Sequence, residues 1–211
     1  MGYVGERAMG EGSSRWLLSL GVAGSVLLAV VVGVVVYFQL VETAISPSAQ
    51  ELSGGQATAL QAFGPAAELA GQWQENARLS AVSGHLAAVG THPHHVEWAF
   101  QFYAPSTRQL ALITVNNGAA RMVREGLSPY AVPTFSTDEW LVDSDQALLA
   151  WWDGGGKALV ARRPDVDLVL QLRVPDEGAR QPVWTVATLM ADSETAFTVL
   201  MNATDATVVT Q

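Results

Sequence analysis

The 211-residue chain contains no cysteine and one lysine, Lys157. Without cysteine there is no disulfide, no thiolate nucleophile, no thiolate metal ligand and no cysteine-borne lipid anchor. Animal extracellular domains of this size usually carry disulfides, so their lack fits a bacterial envelope better than an animal cell surface. Charge is missing from residues 16–41, WLLSLGVAGSVLLAVVVGVVVYFQLV, which lie between Arg15 and Glu42. Basic residues are missing from Glu42 as far as Arg78. Of the 20 acidic and 11 basic residues, two of each precede Glu42, leaving 18 and 9, so the whole net charge of −9 falls on the later part of the chain. Such an acidic balance argues against nucleic acid as a partner and against close contact with anionic lipid.

What is there begins with the uncharged run. Its apolar heart, 16–38, rises by roughly 34 Å as a helix, enough for a hydrocarbon core of ~30 Å with slight tilt. It has no polar face, as a soluble helix would need. Trp16 and Tyr37 stand at opposite ends, where aromatic rings favour the headgroup layers. The run is too long for the core of a cleaved signal peptide, although Glu42-Thr43-Ala44 resembles a weak cleavage site. Arg7 and Arg15 precede the span and no basic residue closely follows it, which predicts a cytoplasmic tail (1–15), a single span (16–41) and a domain outside. Glu6 stands where N-myristoylation requires Ser or Thr. Gly21, Ser25, Ala29 and Gly33 recur every fourth residue, a stripe by which two spans can approach closely and form a homodimer, although Gly, Ala and Ser are common in spans without such pairing.

Residues 42–55, rich in Ser, Ala and Gly, read as a stalk. Leu60, Phe63, Ala67, Ala70, Trp73 and Ala77 then recur at helical spacing, with a break or kink expected at Gly64-Pro65. A short strand is predicted over 79–89. Val96 to Tyr103 alternates cleanly, Val96, Trp98, Phe100 and Phe102 against Glu97, Ala99, Gln101 and Tyr103. Leu110 to Val115 returns to Asn116-Asn117-Gly118, a hairpin turn signal, and 119–123 continues as a strand. Residues 125–136, with two prolines and no period, read as a surface connector. Asp143 with Gln146 three residues on predicts a capped helix N-terminus, and Gly154-Gly155-Gly156 its stop. Leu168, Leu170, Leu172 and Val174 mark another strand, and 182–190 with 195–201 a second hairpin.

Laying Trp98 on Trp184 aligns the two hairpins without a gap and sets Asn116 over Asn202, an internal repeat. The fold class read from this is α+β: an N-terminal transmembrane helix followed by two helix–strand–strand–strand units with antiparallel sheets. The first unit covers 56–125, a connector 126–139 and the second unit 140–211. Trp184-Thr185-Val186 opening a strand, Asp143 to Leu148 opening a helix, and the hairpin leading to Asn202-Ala203 resemble the PepSY-like modules of bacterial envelope proteins and peptidase propeptides. That resemblance implies two tandem modules with no catalytic residue and no cofactor, which bind or restrain another envelope protein such as a protease.

Candidate chemistry is sparse. His92, His94 and His95 precede Glu97, and imidazoles with a carboxylate are metal ligands. They lack zinc-protease spacing, and the fourth histidine, His85, is not at a motif spacing. Asp138, Glu139, Asp143 and Asp145 gather before a helix, where acids cap and complement the dipole. Gly154-Gly155-Gly156-Lys157 lacks the remainder of a phosphate-binding loop. The six tryptophans after the span read mainly as core, or as a binding groove. Asn202-Ala203-Thr204 is a glycosylation sequon only in a pathway that uses it. The reading is therefore a single-pass, outward-facing, non-catalytic binding module with no cofactor, its partners being the bilayer and an envelope protein or cell-wall component. A metal-dependent enzyme using the histidine loop and a span-dimerised scaffold are the alternatives.

Overall fold

Alternation of apolar and polar residues dominates the chain after residue 77, and the strands follow it. The computed structural model describes residues 57–87, 96–175, 181–189 and 197–209, all within the compact unit Ser53–Gln211. The predicted tail, span, stalk and small-residue stripe of Gly21, Ser25, Ala29 and Gly33 lie outside the described residues. Among the described residues no helix is long and apolar enough to cross a membrane.

Helix α1 (Ala59–Trp73) leads into β1 (Arg78–Leu86), β2 (Glu97–Ala104), β3 (Gln109–Asn116) and β4 (Ala119–Leu127). A short 3-10 turn (Thr137–Glu139), α2 (Ser144–Trp151), a kinked turn (Trp152–Gly156) and α3 (Lys157–Arg162) follow. The chain ends in β5 (Asp167–Arg173), β6 (Val183–Leu189), β7 (Thr198–Asn202) and β8 (Val208–Val209). All eight strands form one antiparallel sheet in the order β4-β3-β2-β1-β5-β6-β7-β8.

This corrects the expected fold class. The described chain does not form two helix–strand–strand–strand units with separate sheets; four strands follow each helical segment, and β1 pairs with β5 in one continuous sheet, with Ser83 opposite Gln171. The cause is the edge problem. A three-stranded sheet in each half would expose the backbone donors and acceptors of its first strand, and pairing β1 with β5 satisfies both rows together. Alternation reveals that a strand has a buried face but not which neighbour its edge will meet. The two outer hairpins do share a register. Trp98 faces Val115 and Trp184 faces Met201.

One face of the sheet forms the core with the helices. Val82, Leu86, Phe100, Ile113, Leu168, Leu170, Leu172, Trp184 and Val186 are all at most 2% exposed. Helix α1 lies on β2, β3 and β4, and α2 lies on β6 and β7. The buried stripe of α1 is Ala59, Ala62, Ala66 and Ala70, with Phe63 and Trp73 half-buried beside it. The sequence pattern shares Ala70 with that stripe, while Leu60, Phe63, Ala67, Trp73 and Ala77 are half-buried beside or beyond it; alanines, which let the helix sit close to the strands, give a weak hydropathy signal. Nor does Pro65 break the helix, which runs through it as one 15-residue element. The carbonyl that loses its donor belongs to Gln61, an exposed residue whose backbone water can satisfy.

The hairpin turn at Asn117-Gly118 forms as its sequence predicts, both residues at positive φ (49° and 76°). The glycines after α2 end it, as the sequence predicts: Gly155, at φ 143°, leaves helical backbone, and a new helix, α3, starts directly beyond. Gly84 is required by a close approach. It faces Trp98 across β1 and β2, and a Cβ there would lie 2.6 Å from an indole carbon held in the core. Gly84→Ala is therefore expected to lower stability by about 1–3 kcal/mol. Urea unfolding checks this, and an unchanged midpoint would mean that the indole can move aside.

Candidate functional site

Three tryptophans from distant parts of the sequence meet at the centre. Trp184 packs edge-on to Trp98 and to Trp140, with ring centroids 6.5 and 6.1 Å apart, and Phe63 of α1 meets Trp140 at 5.9 Å. Each indole N–H has a partner: Trp98 donates to Ala57 O at 2.8 Å, and Trp140 and Trp184 both donate to Val142 O, at 3.0 and 2.8 Å. Trp98, Trp140, Trp151 and Trp184 are at most 3% exposed. These aromatics are core, so the tryptophan-lined groove considered from sequence is not formed by them. Trp151 differs from its neighbours. Its buried N–H has no partner among the described residues, and its ring covers Gly156 closely enough to exclude a Cβ there.

Glu139, Asp143 and Asp145, before and in the first turn of α2, accept backbone N–H groups. Asp143 Oδ1 accepts from Ser144 N at 2.6 Å, while Gln146 Oε1 accepts from Asp143 N at 3.1 Å, the reciprocal box expected from sequence. The same Asp143 Oδ1 accepts from Leu60 N at 3.1 Å, and Ser144 Oγ accepts from Ala59 N at 3.0 Å. One pair of side chains thus serves the N-termini of both helices. Glu139 Oε2 accepts from Ser136 N at 2.8 Å, and Asp145 Oδ1 from Gln146 N at 2.8 Å. The turn after β7 is tied to the same region: Ala203 O accepts from Leu141 N and Val142 N, both at 2.8 Å, and Thr204 Oγ donates to Glu139 O at 2.8 Å. Within that turn, hydrogen bonds from the Thr207 hydroxyl and then its backbone N–H hold the Asp205 carboxyl below its ordinary pKa.

Of the metal candidates, His92, His94 and His95 lie outside the described residues. Glu97 opens β2 opposite His85 of β1, and His85 Nε2 lies 3.6 Å from Asp167 Oδ2 on β5. Among the described residues no group of three or more His, Asp or Glu side chains is placed to hold a metal ion.

A concave feature among the described residues lies elsewhere. An open groove of about 480 Å³ runs between the second half of α1, the start of β1 and the segment 134–139. Phe63 and Ala67 line it from the helix, and Leu79, Phe102 and Phe135 are buried at its base. Phe135 N donates to Leu79 O at 3.0 Å, which fixes the third wall against the bulge in β1 between Leu79 and Ala81. Arg78, Thr134, Ser136 and Thr137 supply polar groups around it. Gly71 lines it too, and a Cβ there would meet nothing within 4 Å. The Arg78 guanidinium has no ion-pair partner among the described residues. Sequence reasoning missed these residues because the groove is assembled from a helix face, a strand end and a segment without period, and no spacing joins the three.

Compared with family models, curated proteins and solved structures, the chain finds no match.

Proposed function

We propose that the chain is a non-catalytic binding module of the bacterial cell envelope, held to the membrane by residues 16–41 with its C-terminal domain outside. The observation that carries the binding role is the groove beside α1, where an apolar base is ringed by hydroxyls and by an arginine with no ion-pair partner among the described residues. Those groups orient and hold a ligand. The one carboxylate in the lining, Glu139, is engaged in capping the 3-10 turn. The uncharged run supports the anchor by its length. The resemblance to PepSY-like modules supports the same role, restraint or sensing of another envelope protein.

The full chain produced in a bacterium is expected to stay with carbonate-washed membranes. Protease added to spheroplasts is expected to remove the C-terminal domain and spare a cytoplasmic control. Recovery of the full chain in the soluble fraction without detergent would end the anchor reading, and a domain protected until lysis would reverse the orientation.

A further inference from the structure

We infer that the groove beside α1 receives the C-terminal residue of a peptide whose last side chain is apolar, its carboxylate meeting Arg78. The inference rests on the binding role proposed for that groove and names its ligand. Charge is the first argument. In a chain of net charge −9, Arg78 is a cation at the groove without an acidic partner among the described residues. Such a guanidinium offers a fork of donors matched to a carboxylate. The rest of the lining is the second. Half-buried Phe63 presents apolar surface, with buried Phe102 and Phe135 beneath it, suited to one hydrophobic side chain. Thr134 and Thr137 supply hydroxyls that both donate and accept, and Ser136 Oγ, which already accepts from Asp138 N, supplies a donor. A simple fatty carboxylate would fill the apolar part but strip water from those hydroxyls without replacing it. A peptide brings amide groups to meet them, the mode by which backbone and side-chain donors capture chain ends. The volume of about 480 Å³ falls within the range of ligand clefts and suits a short terminus rather than a long segment.

Gly71 provides a clean test. It lies on α1 and has an ordinary helical backbone, and a Cβ there meets nothing within 4 Å, so Gly71→Leu puts a side chain at the groove and raises helix propensity. The full chain in lipid nanodiscs is titrated with a fluorescent tetrapeptide ending in leucine with a free carboxylate, with the same peptide as its C-terminal amide, and with decanoate as competitor. The free acid is expected to bind at least about tenfold more tightly than the amide. Arg78→Gln is expected to remove that preference, and Gly71→Leu to abolish binding while leaving the melting temperature unchanged or raised. Equal affinity for acid and amide, or binding unaffected by Gly71→Leu, would overturn the inference. Decanoate binding in place of the peptide would overturn the peptide assignment and leave a binding groove standing. No binding of either probe would overturn the ligand class, while the membrane-topology result above would be untouched.

Discussion

Trp184→Ala is expected to lower stability by about 3–5 kcal/mol, the usual cost of emptying a tryptophan site in a core. The residue is fully buried on β6 and touches Trp98 of β2 and Trp140 ahead of α2, so its ring joins segments that nothing local holds together. For a domain of this size a loss on that scale lowers the melting temperature by roughly 6–20 °C. Thermal unfolding followed by far-ultraviolet circular dichroism measures it. Trp184→Phe separates the ring from its N–H. Val142 O keeps the bond from Trp140 when the Trp184 donor is removed, so the phenylalanine variant is expected to lose much less than the alanine variant. A loss under about 1 kcal/mol for Trp184→Ala would show that the aromatic cluster is not what binds the two halves of the sheet.

The second large effect is expected at Asp143. A helix cap ordinarily contributes ~0.5–2 kcal/mol. Here one carboxylate oxygen accepts from the backbone of α2 and from Leu60 in the first turn of α1. Asp143→Ala leaves both donors without that acceptor and is expected to cost about 2–4 kcal/mol. Asparagine caps nearly as well as aspartate, so Asp143→Asn is expected to recover most of the loss. If alanine and asparagine destabilise equally, the effect is not capping. If alanine costs only what a single cap costs, the bond to Leu60 contributes nothing.

Local features were legible because their causes are local. Asp143 and Gln146 stand three apart and cap α2 as read, Asn117-Gly118 turns β3 into β4, and the alternation after Glu97 forms β2. Misreadings came where a distant partner decides the outcome. Pro65 signals a break by itself, yet α1 continues because its alanine stripe packs along the sheet. The triple glycine, by contrast, stops α2 as its sequence signals, because Gly155 leaves helical backbone before α3 begins. The pairing of β1 with β5 leaves no trace in either strand, because any two alternating strands of suitable length satisfy the same pattern. The groove escaped for a related reason. Its residues, Phe63, Gly71, Arg78 and Phe135, acquire meaning only when three segments converge.

The seam between β1 and β5 also sets an order of events as the chain emerges from the ribosome. β1 is made early, and its second hydrogen-bonding partner, ending at Arg173, appears only after β2, β3, β4 and both later helices. Until then an interior strand stands as an unguarded rim, the kind of surface that recruits foreign strands. The wait covers the whole chain from residue 83 to residue 171, so the step that closes the sheet is also the one with the longest loop to close.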